Sequence, residues 1–354
     1  MSSSRSSSSG RSVRSNLPGV STVSARLVPA LVERVLERLG LDGPPPATPE
    51  GLDRLYLAWS RTVPFDNVRK RIALASGSPD PLPGAQPDDF FEAFLRHGTG
   101  GTCWPTSGAL HALLVACGFP ARRATGAMAY LEFGIAESHA TVIVTLDDGV
   151  DRLVDSSMLT ERAIPFRADA PAEHPHPLHP VRSEPADGAV RFWFKTGTTA
   201  DREVPCLLLQ RDVSHDHYLA RYGASRESGP FNDVLHARRH FVDRVVTIRG
   251  DTRYERHADG VRASTAEDER RWERCLGGRQ LLSDGNDVLA GTSSWSRAPP
   301  LQGRGHGSGS RPGYTSVLTH DRRCRAPMQP ARRCGLSQRS GRVAPVGHHG
   351  GAVT

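Results

Sequence analysis

The hydrophobic pattern of the chain changes period at Gly118, and this change limits the fold to helices first and sheet afterwards. Before Gly118, apolar residues recur at three- and four-residue spacing, the mark of helices that bury one face. Leu27, Leu31, Val35 and Leu39 predict a helix over 27–39, stopped at Gly40 and followed by the extended run Pro44-Pro45-Pro46. Thr48 then caps a second helix with Pro49 at its first position. That helix buries Leu52, Leu55, Tyr56 and Trp59, and it ends near Thr62 because Pro64 disfavours a helical Val63. A third helix spans about 88–97, with Phe90, Phe91, Phe94 and Leu95 inward. A fourth runs from about Ser107 to Gly118.

After Gly118 the alternation is two-residue, so Ala121–Leu131, Thr141–Leu146 and Arg152–Asp155 read as strands, with Asp147-Asp148-Gly149 as a turn. Residues 168–190 read as a Pro/His-rich loop, and Arg191–Lys195 and Val204–Leu209 as further strands. Beyond them a helix (about 231–240), a strand (about 243–249) and a charged helix (about 266–275) are expected.

Both ends differ from the middle. Residues 1–26 are rich in Ser and Arg, with no apolar stretch of a secretory signal, and read as a disordered extension. Residues 277–354 lose all periodicity and are dominated by Gly, Ser, Pro and Arg, so they cannot build a core. The break falls inside a helix pattern, which suggests a shifted reading frame. The net charge of +7 belongs to this tail, which alone carries +8, so residues 1–276 are nearly neutral and offer no basic groove for nucleic acid. The expected organisation is therefore an extension (1–26), a helical bundle (27–118), a β-barrel (119–211), an α/β lid (212–276) and a low-complexity tail (277–354). No apolar run approaches the roughly 20 residues of a membrane span. The six cysteines show no paired spacing, which points to reduced thiols in the cytoplasm and to no structural metal.

Chemistry concentrates at Gly98-Thr99-Gly100-Gly101-Thr102-Cys103-Trp104-Pro105. Glycines allow close approach of backbone to a ligand, and a helix start favours a thiolate. Cys103 reads either as a poised nucleophile or as a small buried hydrophobe. A nucleophile needs a base, and the base an orienting group. His139 opens one strand, and the turn at 147–149 returns Asp155 to within a few residues of it, though the turn type decides whether the two side chains share a face. His174, His176 and His179 alternate with prolines, which hold such a run extended, so no metal site is expected there. His215-Asp216-His217 lacks a third ligand. Cys117 and Cys206 read as core.

Across about residues 27–275 the chain resembles the arylamine N-acetyltransferase family. The blocks that carry the resemblance are Leu36-Glu37-Arg38-Leu39-Gly40-Leu41, Val63-Pro64-Phe65-Asp66-Asn67-Val68, Gly100-Gly101-Thr102-Cys103, Ser138-His139-Ala140 and Leu153-Val154-Asp155. Ser228-Gly229-Pro230-Phe231 adds to them. The resemblance implies an α+β fold: a helical bundle, an antiparallel β-barrel and an α/β lid around a cysteine-protease-like core. It implies acetyl transfer from acetyl-CoA to an arylamine or arylhydrazine, through Cys103, His139 and Asp155, with no tightly bound cofactor, no metal and no nucleic-acid or membrane partner. Phe65, Thr102 and Met158 are the implied substrate-binding residues; Phe65 reads equally as core. Asp66 stands where the family has Glu and caps the cysteine loop or merely makes a turn. The family's Arg, Glu and Asn around the cysteine are here Thr99, Pro105 and Ser107, and its Gly-Phe-Gly after the Asp is Ser157-Met158-Leu159. A same-fold amide synthase, a transglutaminase- or protease-like hydrolase, and an inactive member are the competing readings.

Overall fold

Proline marks the start of the first two helices, and a polar cap adds to it in the second. In the computed structural model, which describes residues 27–195, 198 and 202–267, helix α1 (Pro29–Arg38) and helix α2 (Pro49–Thr62) each begin at a proline. Thr48 Oγ1 accepts the Gly51 N–H at 3.2 Å, satisfying one of the free donors of the α2 start. A two-residue strand, β1 (Phe65–Asp66), follows, then helix α3 (Val68–Ser76) and helix α4 (Pro87–His97), which closes on Gly98 at φ +67°. The central helix is α5 (Cys103–Ala116). Helix α3 was not visible in the pattern: its only buried residue is Lys70, so no apolar stripe announces it.

The sheet half contains β2 (Ala121–Met128), the single helical turn α6 (Tyr130–Phe133), β3 (His139–Thr145), β4 (Asp151–Val154), β5 (Ile164–Phe166), β6 (Ala172–His174), β7 (Val181–Ala186), β8 (Ala189–Lys195) and β9 (Glu203–Gln210). The first of these strands stops at Met128 rather than at Leu131, because Ala129 takes a left-handed φ of +54° and starts the turn. Helix α7 (His215–Ala224) leads to β10 (His236–His240), β11 (Val245–Arg249), β12 (Thr252–His257) and β13 (Gly260–Thr265).

Eight strands form one antiparallel sheet in the order β5-β4-β3-β2-β9-β8-β7-β6. It curls into a nearly closed barrel. Ala124, Ile143, Leu153, Phe166, Val181, Val190, Phe192 and Leu208, from seven different strands, fill one interior cluster. Strand β3 is buried on both faces. Its Ile143 points to that interior, while Ala140, Val142 and Val144 pack on the helical core with Trp59, Phe91 and Leu110. This is the two-residue alternation of a strand with an apolar layer on each side. The second sheet, β1-β10-β11-β12-β13, joins the start of the chain to its later part through Phe65↔Arg238 and Asp66↔Ala237.

Two sequence expectations are corrected here. Residues 168–190 are not a loop, because β6, β7 and the start of β8 lie within them. Proline misled the reading, but Pro185 pairs only with Val190, and β6 runs alongside β7 only at residues 181–183, so its missing N–H faces no partner strand. The helix expected at 231–240 gives way to β10, where pairing on both sides with β1 and β11 overrides the local pattern. The charged helix expected at about 266–275 lies mostly outside the described residues, as do the extension and the tail.

The cysteine loop is pinned to this frame at Gly100. Its Cβ position falls 1.7 Å from the Pro64 carbonyl oxygen, a distance no side chain tolerates. Gly100→Ala should therefore lower stability by roughly 1–3 kcal/mol, read as a drop in the urea midpoint at unchanged slope. A wild-type midpoint would show that the loop is not held there.

Candidate active site

Cys103 is the first residue of α5, so its sulfur sits where the free N–H groups of the first turn and the helix dipole converge. Thr102 precedes it as the N-cap, buried, with a hydroxyl that has no hydrogen-bond partner among the described residues. The loop before it is held by the 63–68 segment. Asp66 Oδ2 accepts the Gly100 N–H at 2.6 Å, Oδ1 accepts the Val68 N–H at 3.0 Å, and the Asp66 N–H donates to the Gly101 carbonyl at 3.1 Å. Asp66 thus caps the cysteine loop; burial pushes its carboxyl up to about 6, against the pull of those two amides.

His139 starts β3 and Asp155 directly follows β4. The hairpin pairs Val142 with Val154, so Asp155 emerges opposite Thr141 and diagonal to His139, on the same face of the pair. The turn settles that register, with Gly149 at φ +71° and its N–H on the Leu146 carbonyl. His139 Nε2 lies 2.6 Å from Asp155 Oδ2, and the pair is almost fully buried, at 3% and 1% exposure. Nδ1 is the ring nitrogen left free of Asp155, and the Cys103 sulfur, 4.0 Å from the carbonyl of the neighbouring Ser138, is close enough to help raise the imidazole. Sequence reading brought these three together, and the structure places them in one cluster.

Electrostatics favour the charged form of the pair. Burial alone would lower His139, but the Asp155 charge, its hydrogen bond and the contact with Cys103 hold the imidazole well above its usual range. Burial would raise Asp155, yet His139 and the N–H groups of Ser157 and Met158, both at 2.9 Å from Oδ1, hold it below its usual range. Met158 therefore serves the carboxylate through its backbone, while its side chain packs at the rim of the barrel cluster. Phe65 is buried against Phe231 and His236, at 5.2 and 5.6 Å between ring centres, with the Arg238 guanidinium 5.2 Å over its ring.

Sequence reading missed a set of buried hydroxyls beneath Cys103, His139 and Asp155. Ser107 Oγ donates to the Ala140 carbonyl at 2.9 Å and lies 2.7 Å from Ser156 Oγ, which in turn donates to Thr106 Oγ1 at 3.0 Å. Helix α5 is thereby tied to the neighbours in sequence of both His139 and Asp155. Tyr56 adds a bond from below, its hydroxyl donating to the Asp155 carbonyl at 2.6 Å. The only sequence signal was polar residues at otherwise apolar positions of α5. Tyr218 Oη, on α7, donates to the Trp104 carbonyl at 2.5 Å and fixes the same turn from the other side.

The segment after Asp155 keeps an unusual backbone. Leu159 and Glu161 have φ of +54° and +64°, the left-handed region that glycine favours. The histidine run is not held apart as expected: His176 and His179 stack at 5.1 Å, and His179 stacks on His240 at 4.4 Å. Tight turning at Leu178 and His179, whose N–H groups bond His176 Nδ1, overrides the extension that proline imposes. His217 bonds Glu137 at 2.9 Å and belongs to an ion-pair network with Arg221. A cavity of about 1200 Å³ lies between α1 and the far side of α5 and is lined by none of Cys103, His139 and Asp155.

The N-acetyltransferase family profile matches residues 49–281. The chain belongs to the arylamine N-acetyltransferase family, whose members are acyltransferases. Its fold is similar to that of a Mycobacterium smegmatis arylamine N-acetyltransferase variant (TM-score 0.58, 17% identity, 73% of this chain and 97% of that one). It is likewise similar to the Salmonella typhimurium enzyme (0.56, 17%, 75% and 99%). A third similar structure is the Bacillus cereus enzyme described as having a unique Cys-His-Glu catalytic triad (0.55, 15%, 71% and 99%). No curated protein sequence matches the chain. Among the described residues no helix is long and apolar enough to cross a membrane.

Two outcomes follow for the buried pair. Asp155 held low contributes stability that is present above about pH 3.8 and lost as pH falls through its folded value. His139 held high contributes stability that is complete below about pH 6.5 and lost as pH rises through its folded value. The pair thus stabilises most between these limits. In Asp155→Asn burial prevails and His139 should turn neutral at pH 7, seen as a large downward shift of its titration by proton NMR; an unchanged titration would refute the pairing. Ser107→Ala should cost about 1–3 kcal/mol in chemical unfolding, because Ala140 and Ser156 lose a buried partner; a cost within ±0.5 kcal/mol would show that the hydroxyl set does not hold the helix.

Proposed function

We propose that the chain transfers an acetyl group from acetyl-CoA to an arylamine or arylhydrazine nitrogen through a covalent intermediate on Cys103. The observation that carries this reading is the buried His139–Asp155 pair at 2.6 Å beside a cysteine that begins a helix. His139 holds the thiol's proton as the sulfur attacks, and Asp155 fixes the ring with Nε2 toward itself and Nδ1 toward sulfur.

In the first half-reaction the Cys103 sulfur attacks the thioester carbonyl carbon. The oxyanion that forms is met by N–H groups of the first turn of α5, which have no intrahelical acceptor. Collapse breaks the bond to the CoA sulfur, and that thiolate takes the proton from His139 Nδ1. In the second half the amine nitrogen attacks the acetyl carbon on Cys103, its proton passes to His139, and the Cys103 sulfur leaves as a thiolate. An arylamine suits the second half because it is already neutral at pH 7. Phe65, Thr102 and Met158 are the proposed substrate-facing residues, Phe65 as an aromatic wall. The helical, barrel and lid regions, bounded at 118 and 211, are proposed as the working divisions of the enzyme.

Incubation with acetyl-CoA followed by peptide mass analysis should find one acetyl group on the Cys103 peptide, discharged when an arylamine is added. Cys103→Ser should lower turnover by at least ~10³-fold with an unchanged circular dichroism spectrum. Acetyl turnover with an unmodified Cys103 would overturn the proposal, as would full activity of the serine variant.

A further inference from the structure

We propose that Glu161, His179 and His240 form a binding site for a divalent transition-metal ion of the zinc class, separate from the triad. One ligand-capable atom from each lies within 4.8 Å of those of the other two, and all three residues are buried. They come from distant parts of the chain: the turn after Asp155, the proline-rich segment before β7, and the end of β10. Two imidazole nitrogens and one carboxylate oxygen are the donor set that zinc and its neighbours prefer, whereas calcium and magnesium take oxygen ligands.

The nitrogens lack other employment. His179 Nε2 and both ring nitrogens of His240 are buried without a hydrogen-bond partner among the described residues, in side chains only 7% and 2% exposed. Three such orphaned atoms side by side are costly unless something bonds them.

His176 is excluded as a ligand by its own bonds. Its Nδ1 accepts the N–H groups of Leu178 and His179 at 3.2 and 3.1 Å, so the proton is on Nε2, which points at Glu161 Oε2 from 3.9 Å. Arg61 is the competitor: its Nε and Nη2 hold the two Glu161 oxygens at 3.2 and 2.9 Å. The Arg61 side chain is about one-third exposed, at 35%, and can swing outward when a cation takes its place. The His179 and His240 rings are nearly parallel, at 11°, so capture turns one of them until both lone pairs converge. The ion would staple the turn after Asp155 to the second sheet, giving a structural clamp that leaves Cys103 untouched.

The test is metal uptake by the full chain, freed of metal and alkylated with iodoacetamide so that accessible thiols take no part. Titration with Co(II) and Zn(II) should show one equivalent more for this protein than for the His179→Ala/His240→Ala variant. Co(II) bound at the site should give visible bands without sulfur charge transfer. Glu161→Gln, which keeps the side-chain size, should weaken that equivalent at least ~10-fold, and serves as the comparison where the double variant does not fold. Arg61→Gln should tighten it several-fold, a sign that a merely structural role of Arg61 does not produce. Equal uptake by the parent and the variants, or Arg61→Gln without effect, would overturn the site and leave a stack of buried histidines.

Discussion

A buried imidazole and a buried carboxylate can stay charged only if each is the other's compensation, and much of this structure serves that condition. Taking two such groups out of water costs several kcal/mol each, so the pair survives only with good geometry and with its remaining lone pairs satisfied. Asp155 meets this with one oxygen on His139 and the other on two backbone amides, and its carbonyl takes the Tyr56 hydroxyl. The amides come from the turn that follows β4, so that turn is part of the electrostatics of the site. The hydroxyls of Thr106, Ser107 and Ser156 then fix the distance between helix α5 and the strand pair that carries the charge.

The same turn explains how the chain departs from the glycine-rich pattern of its family without losing the fold. Where glycine is usual, Leu159 holds a left-handed backbone at a cost of about 1–2 kcal/mol. Its side chain is fully buried in the helical core, which returns roughly 1.5–3 kcal/mol. Glu161, also left-handed, is held by Arg61. Side-chain contacts here take over what glycine gains from backbone freedom. The geometry after Asp155 is kept by a different set of residues.

Much of this was legible in the residues before any coordinates. The period change at Gly118 marked the passage from helices to barrel, because a buried face has to repeat at 3.6 or at 2. Cys103, His139 and Asp155 were legible because nucleophile chemistry demands those types and the 147–149 turn could bring two of them together. What stayed hidden depends on partners distant in sequence. Residues 236–240 carry no strong strand signal and become β10 only because Phe65 and Asp66 lie on one side and Val245 to Arg249 on the other. Ser107 looked like a departure from a family pattern, and its value appears only when Ser156 and Ala140 are opposite it. Lys70 shows the converse: it is buried in α3 with its ammonium on the Ser225 carbonyl and hydroxyl, so a charged residue hid an inward-facing position.

The histidine run shows where local rules give way. Alternating proline favours an extended backbone, but that preference amounts to little per residue beside the packing of three imidazoles against a β-sheet end. His176 turns the segment with its own ring nitrogen, using the amides two and three residues ahead, so the prolines at 175, 177 and 180 only narrow the path between its fixed points. Once the segment lies under β10, stacking brings His179 onto His240. Glu161, tied to Arg61, supplies the nearest negative charge. The proline run thereby sets where basic nitrogens gather, and the second sheet decides what they face.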